Sequence, residues 1–137
     1  MNQPLSLRLP ATTVARLGSR ARRQQMPPRT LAQRYVEEGL RMDEHPLIRF
    51  TEGPAGRRAA LVGRGLDVWE VIATVRDNDG SPSEAAAYLE IPVGLVDAAI
   101  VYYGAHRQEI DEWIADNAAE YERGFAAAMS GERALSS

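Results

Sequence analysis

The carboxylates Glu109, Asp111, Glu112 and Asp116 form the stretch of this sequence whose composition comes nearest to acid–base or metal chemistry. Glu109, Glu112 and Asp116 fall at i, i+3 and i+7, which places them on one face of a helix. Like charges at that spacing are expected to form a solvated stripe, because no histidine lies within the cluster and His106 stands only at its edge. His45 and His106 are the only two histidines, too few for a histidine metal site. No nucleophile has a visible base beside it, and no glycine-rich phosphate loop of the required pattern occurs. No catalytic residue, metal or cofactor is therefore expected. A metal-using enzyme would have to bind divalent metal through Glu109 or Glu112. Trp69 and Trp113 are read as core or interface anchors in preference to stacking platforms.

The more telling chemistry is that of arginine. All sixteen basic residues are arginine, set against nineteen acids, for a net charge of −3. They are unevenly placed: residues 1–64 hold twelve arginines and five acids, a balance of +7, and residues 65–137 hold four and fourteen, a balance of −10. A basic half suits a polyanionic partner and an acidic half is repelled by it, so the halves are expected to do different work.

At its start the chain reads PLSLRLP. Strand alternation sends Leu5, Leu7 and Leu9 to one side and Pro4, Ser6 and Arg8 to the other. A lone short strand cannot satisfy its own backbone groups, and the next strand-like run lies some forty residues on. The simplest partner is the same strand of a second copy, antiparallel across a twofold axis. From Ala11 to Arg23, Val14, Leu17 and Ala21 fall at helical spacing opposite Arg16, Arg20 and Arg23. A second helix is expected from Pro28 through Met42, with Leu31, Tyr35 or Val36, and Leu40 turned inward.

Beyond Leu47, LIRF and RRAALV around TEGPAG read as a small hairpin linking the halves. Arg57 and Arg58 there suit a DNA contact or an incidental interdomain charge equally. Asp67 can cap a helix that buries Val68, Val71, Ile72 and Val75. Ser81-Pro82-Ser83-Glu84 is a capping-box start for another, stopped at Ile91-Pro92. A third follows, with Val93, Val96, Ile100 and Tyr103 or Tyr102 on its buried side. This acidic trihelical order suggests a helix-turn-helix, but its last helix offers only Asp97 as a charge, so scaffold, dimer contact or protein-binding surface is the preferred role. The chain has no cysteine and its apolar runs are too short for a bilayer, so a soluble cytoplasmic protein without a membrane partner is expected.

Strand, helix, turn and helix within residues 4–42 resemble the ribbon-helix-helix family of dimeric DNA-binding proteins. The resemblance implies that Pro4, Ser6 and Arg8 face base edges in the major groove, Arg8 by donating twice to guanine. It also implies that the start of the second helix holds phosphate. The usual hydroxyl cap there is replaced by Pro27, which leaves that role to Arg29 and Thr30. Residues 57–117, through GRGLDVWEV, GSPSEAAAYLEI and VDAAIVYYGAHRQEIDEWI, are similar to the small helix-turn-helix family catalogued as the domain of unknown function numbered 433, whose members often pair as antitoxins with PIN-like toxins. Arg64-Gly65-Leu66 departs from that family's pattern.

Together the resemblances imply a mainly α chain. It would comprise a ribbon-helix-helix DNA-binding and dimerisation domain at 1–45, a linker with a short β-hairpin at 46–64, an acidic helix-turn-helix-like domain at 65–120, and a C-terminal tail at 121–137. They imply an antitoxin of a type II toxin–antitoxin module that binds operator DNA as a homodimer and neutralises a PIN-like ribonuclease. The implied toxin-binding residues are Tyr121, Arg123 and Phe125, with Arg123 entering the toxin's carboxylate cluster and Arg133 a weaker candidate. The competing expectation has Tyr121 and Phe125 packed on their own helix's core face with Arg123 solvated. A stand-alone transcriptional regulator, its second domain serving dimerisation or ligand sensing, is the alternative function.

Overall fold

In the computed structural model, which describes residues 2–136, the chain is mainly helical with one small antiparallel sheet and divides into two compact units after Glu44. The first unit holds α1 (Ala11–Arg23) and α2 (Pro28–Glu44). Helix α1 starts behind Pro10, where a proline can precede a helix without losing a needed donor, and ends where Gln25 turns left-handed at φ 55°. Residues 2–10 form no regular element in the single chain.

Among the described residues of this unit only Ala21 and Leu31 are buried. Val14 and Leu40, expected to point inward, are exposed, as are both Tyr35 and Val36, one of which is expected there. The reason is geometric: an amphipathic helix pair buries only the seam between its members, and 44 residues supply no further layer to cover the rest.

The second unit begins with β1 (Ile48–Gly53) and β2 (Gly56–Leu61), paired from Ile48↔Leu61 to Gly53↔Gly56 around Pro54-Ala55. Gly56, at φ 125°, closes a turn that a side chain would strain. This hairpin is more than a linker. Ile48, Ala59 and Leu61 enter the same core as the helices that follow, so residues 46–64 belong to the second unit. Gly63 (φ 70°) and Gly65 (φ 65°) make the turn out of β2, and Leu61 N–H donates to Leu66 O at 2.8 Å.

Next come α3 (Val68–Asp77), α4 (Pro82–Leu89), α5 (Val93–Ala105) and α6 (Arg107–Ser136). At the start of α3 the Glu70 carboxylate accepts from the Asp67 backbone N–H at 3.1 Å, and at α4 the Ser81 hydroxyl accepts from Glu84 N–H at 3.2 Å. Val68, Val71 and Ile72 of α3, Ala85 and Ala86 of α4, Val96, Ala99 and Tyr102 of α5, and Ile110 of α6 form the core. Tyr102, not Tyr103, is the fully buried tyrosine; Val93, expected inside, is half-exposed at the first position of α5. Helices α4 and α5 are bent by 119° at their break.

Helices α1, α3 and α4 end alike, with a non-glycine residue in the left-handed region and a bond reaching back five residues. Gln25, Asp79 and Glu90 take φ of 55°, 55° and 57°. Met26, Gly80 and Ile91 then donate to Ala21, Val75 and Ala86 at 3.0, 2.9 and 3.1 Å.

The C-terminal tail drawn at 121–137 is not a separate segment, since α6 runs unbroken for 30 residues from Arg107 to Ser136. Its alanines, glutamates and arginines favour helix, and Gly124 and Gly131 each weaken it by only about 1 kcal/mol. Ile110 and Ile114 tie its base to the unit, and residues 115–136 are all exposed. No single helix among the described residues is long and apolar enough to cross a membrane.

Candidate nucleic-acid interface and partner surfaces

In the first unit the leading segment lies over the apolar side of the helix pair. Leu7 and Leu9 border a groove of about 460 Å3 with Thr13, Arg16, Leu17 and Arg20 of α1 and Ala32, Tyr35 and Val36 of α2. Leu5 and Leu7 continue into a second groove of about 550 Å3, shared with Pro4, Ser6, Arg29, Ala32 and Val36. The leucine side of the segment thus faces an incompletely filled apolar trough. Arg16 and Arg20 stand on the rim of that trough, where their aliphatic stems cover apolar surface while the guanidinium groups reach water.

The structure brings Pro4, Ser6 and Arg29 to one groove. Arg8 is exposed and lines neither of the two grooves, and Thr30 is exposed in the first turn of α2, whose leading N–H groups lack intrahelical acceptors. The first acid of the chain is Glu37, so residues 1–36 carry seven arginines and no carboxylate. Among the described residues Arg8, Arg16, Arg20, Arg22, Arg23 and Arg29 form no ion pair, while Arg41 pairs with Glu37 at 2.9 Å.

In the second unit Tyr121 and Phe125 are 73% and 60% exposed, so they do not pack on a core of their own unit. With Met129 they follow at i, i+4 and i+8 and form one apolar line along α6. Arg123 does not share it: two residues along a helix is roughly 200° around the axis, and its guanidinium meets Glu120 at 2.7 Å. The three proposed toxin contacts therefore divide between two faces.

Three of the four carboxylates of the acidic run are engaged. Tyr102 donates to Glu109 at 2.9 Å, and Gln108 donates to Glu112 at 3.1 Å. Asp111 receives Arg76 at 2.7 Å and the Tyr103 hydroxyl at 2.9 Å. These two donors hold the Asp111 carboxyl below the usual aspartate range, and the same hydrogen bond raises the Arg76 guanidinium further. Among the described residues no three histidine, aspartate or glutamate side chains are placed to hold a metal ion.

Two groupings were not visible in the sequence. His45, Tyr102 and His106 meet, edge-to-face for His45–Tyr102 with ring centroids 5.0 Å apart and tilted for Tyr102–His106 at 4.5 Å. Trp69 and Trp113 border one cleft of about 610 Å3 between the hairpin turn, the start of α3 and α6. His45 lies far along the chain from Tyr102, and Trp69 from Trp113, so local spacing gives no signal of either meeting.

No known protein family matches this chain, and no curated protein or solved structure matches it.

Proposed function

We propose that this chain is a DNA-binding homodimer that represses from operator DNA and, through its second unit, binds and neutralises a PIN-like ribonuclease, as the antitoxin of a type II toxin–antitoxin module. One observation carries the reading: among the described residues the first unit buries two side chains and lays three exposed leucines along two open grooves. A unit of this size with so small a core needs a second copy for stability. Pairing of residues 4–9 across a twofold axis would satisfy their backbone groups and seat the leucines beneath the resulting ribbon, in a ribbon-helix-helix arrangement.

The outer face of that ribbon presents Ser6 and Arg8 to base edges, with Pro4 at its start, where a missing donor costs least. Arg29 and Thr30, in the first turn of α2, take phosphate. The absence of any acid before Glu37 favours a polyanion there. The second unit supports a different role. Its α4–α5 pair has the angle of a helix-turn-helix, yet α5 has Asp97 as its lone charge, which suits scaffold better than base reading. The exposed line of Tyr121, Phe125 and Met129 suits a protein partner, and Arg123, on the opposite face of α6, meets the nuclease carboxylates where that partner wraps around the helix.

Mobility shift on DNA upstream of the protein's own coding region tests the reading, run at several salt concentrations. The parent is expected to shift the fragment with a steep salt dependence, and Arg8→Ala to weaken the shift at least tenfold while the chain stays dimeric. Co-expression with the adjacent gene product tests the second half. A monomeric parent with no shift at low salt refutes the DNA reading; a shifting dimer that leaves a co-expressed nuclease active refutes the antitoxin reading alone.

A further inference from the structure

We propose that the cleft between Trp69 and Trp113 receives an arginine side chain presented by a protein partner. The inference rests on the second unit alone and needs neither the DNA reading nor the nuclease reading.

The cleft is built before any ligand arrives. Asp67, nine-tenths buried, accepts from the Trp69 indole N–H at 3.1 Å and from the Arg58 Nε–H, which fixes one wall to the hairpin and to the start of α3. The other wall is Trp113 of α6. Its ring edge lies against Gly56, where even a methyl group would come to 3.7 Å of Cη2. Two indoles from positions 44 residues apart in sequence thus border one open space.

Charge selects the occupant. Arg58 and Asp67 cancel each other. Glu120 shares its charge with Arg123 at 2.7 Å, and the Asp116 carboxylate has no hydrogen bond or ion pair among the described residues. An anion is repelled here, and an apolar side chain would leave Asp116 desolvated and unmatched. A guanidinium meets both demands, since its plane stacks on an indole face and its edge donates to a carboxylate. The space also has room for more than a free cation. Past Trp113 and Asp116 it runs into a neighbouring groove of about 530 Å3, enough for the residues flanking an arginine on a loop.

The chain's two tryptophans both border this cleft, so tryptophan emission, excited at the red edge where tyrosine does not absorb, reports on it in the full-length protein. The probe is the blocked tripeptide acetyl-Gly-Arg-Gly-amide, with its uncharged citrulline counterpart as comparison. The arginine peptide is expected to change the emission saturably, and the citrulline peptide to bind at least tenfold more weakly. Asp116→Asn with Glu120→Gln, both at exposed positions that leave the helix content unchanged, should weaken the arginine peptide at least tenfold. Glu132→Gln, far along α6, should leave it unaltered. The proposal is overturned by an absent or non-saturable change, or by equal binding of the citrulline peptide. It is overturned equally by a Glu132→Gln loss as large as that of the paired variant, which would mark a diffuse acidic field, or by tetramethylammonium binding as tightly as the peptide.

Discussion

Leu7 offers the sharpest test of the proposed dimer. In the single chain it keeps 62% of its surface exposed while bordering both grooves of the first unit. Complete burial of a leucine side chain is worth about 1.5–3 kcal/mol, so covering the exposed remainder is worth about 1–2 kcal/mol in each copy. A twofold interface counts the residue twice. Leu7→Ala should therefore cost the dimer about 2–4 kcal/mol, a rise in dissociation constant of roughly thirty- to several-hundred-fold. Sedimentation equilibrium of the full chain across a wide concentration range measures this directly. Leu135→Ala is the control: it removes an 89% exposed leucine at the far end of α6 and should leave the constant unchanged. A Leu7→Ala chain that dimerises within threefold of the parent refutes the reasoning, as does a parent that stays monomeric at high micromolar concentration.

The second unit carries further expectations. Glu90 adopts φ 57° at the end of α4, a conformation that costs an L side chain about 1 kcal/mol, so Glu90→Gly should raise stability to urea by about 0.5–1 kcal/mol. Ile110 is buried at the base of α6; Ile110→Ala should cost about 2–5 kcal/mol in the same assay, and a cost well under 1 kcal/mol would detach α6 from the core. The Asp111 carboxyl is held below its ordinary value by Arg76 and Tyr103. Its contribution is thus complete above about pH 4 and disappears as pH falls through the lowered value. Asp111→Asn should accordingly be less stable than the parent near neutrality, with the difference closing as acid protonates the parent's aspartate. A difference that widens in acid would contradict the assigned sign.

Much of the local structure was legible in the chain's punctuation. Pro28, Ser81-Pro82 and Asp67 mark helix starts because each supplies something a first turn needs, a preset φ or an acceptor for a free N–H. The hairpin follows from glycines that flank Pro54-Ala55. Helix ends were less visible: Gln25, Asp79 and Glu90 occupy left-handed positions where glycine is the usual signal. On the inward faces of α1 and α2, Ala21 and Leu31 are buried as expected while Val14 and Leu40 are not, for a different reason. Periodicity reports which face is apolar, and says nothing about whether the same chain has anything to put against it.

The sequence by itself determined where arginine and carboxylate are concentrated, where the helices up to α5 lie, and that residues 4–10 alternate, because these depend on composition and on neighbours a few positions apart. Only the tertiary structure decided that the hairpin belongs to the second core, that α6 continues past its last buried side chains into solvent, and that two distant tryptophans border one cleft. Those outcomes depend on which surfaces meet once the chain has closed on itself, and contacts between positions forty or more residues apart leave no mark in local spacing.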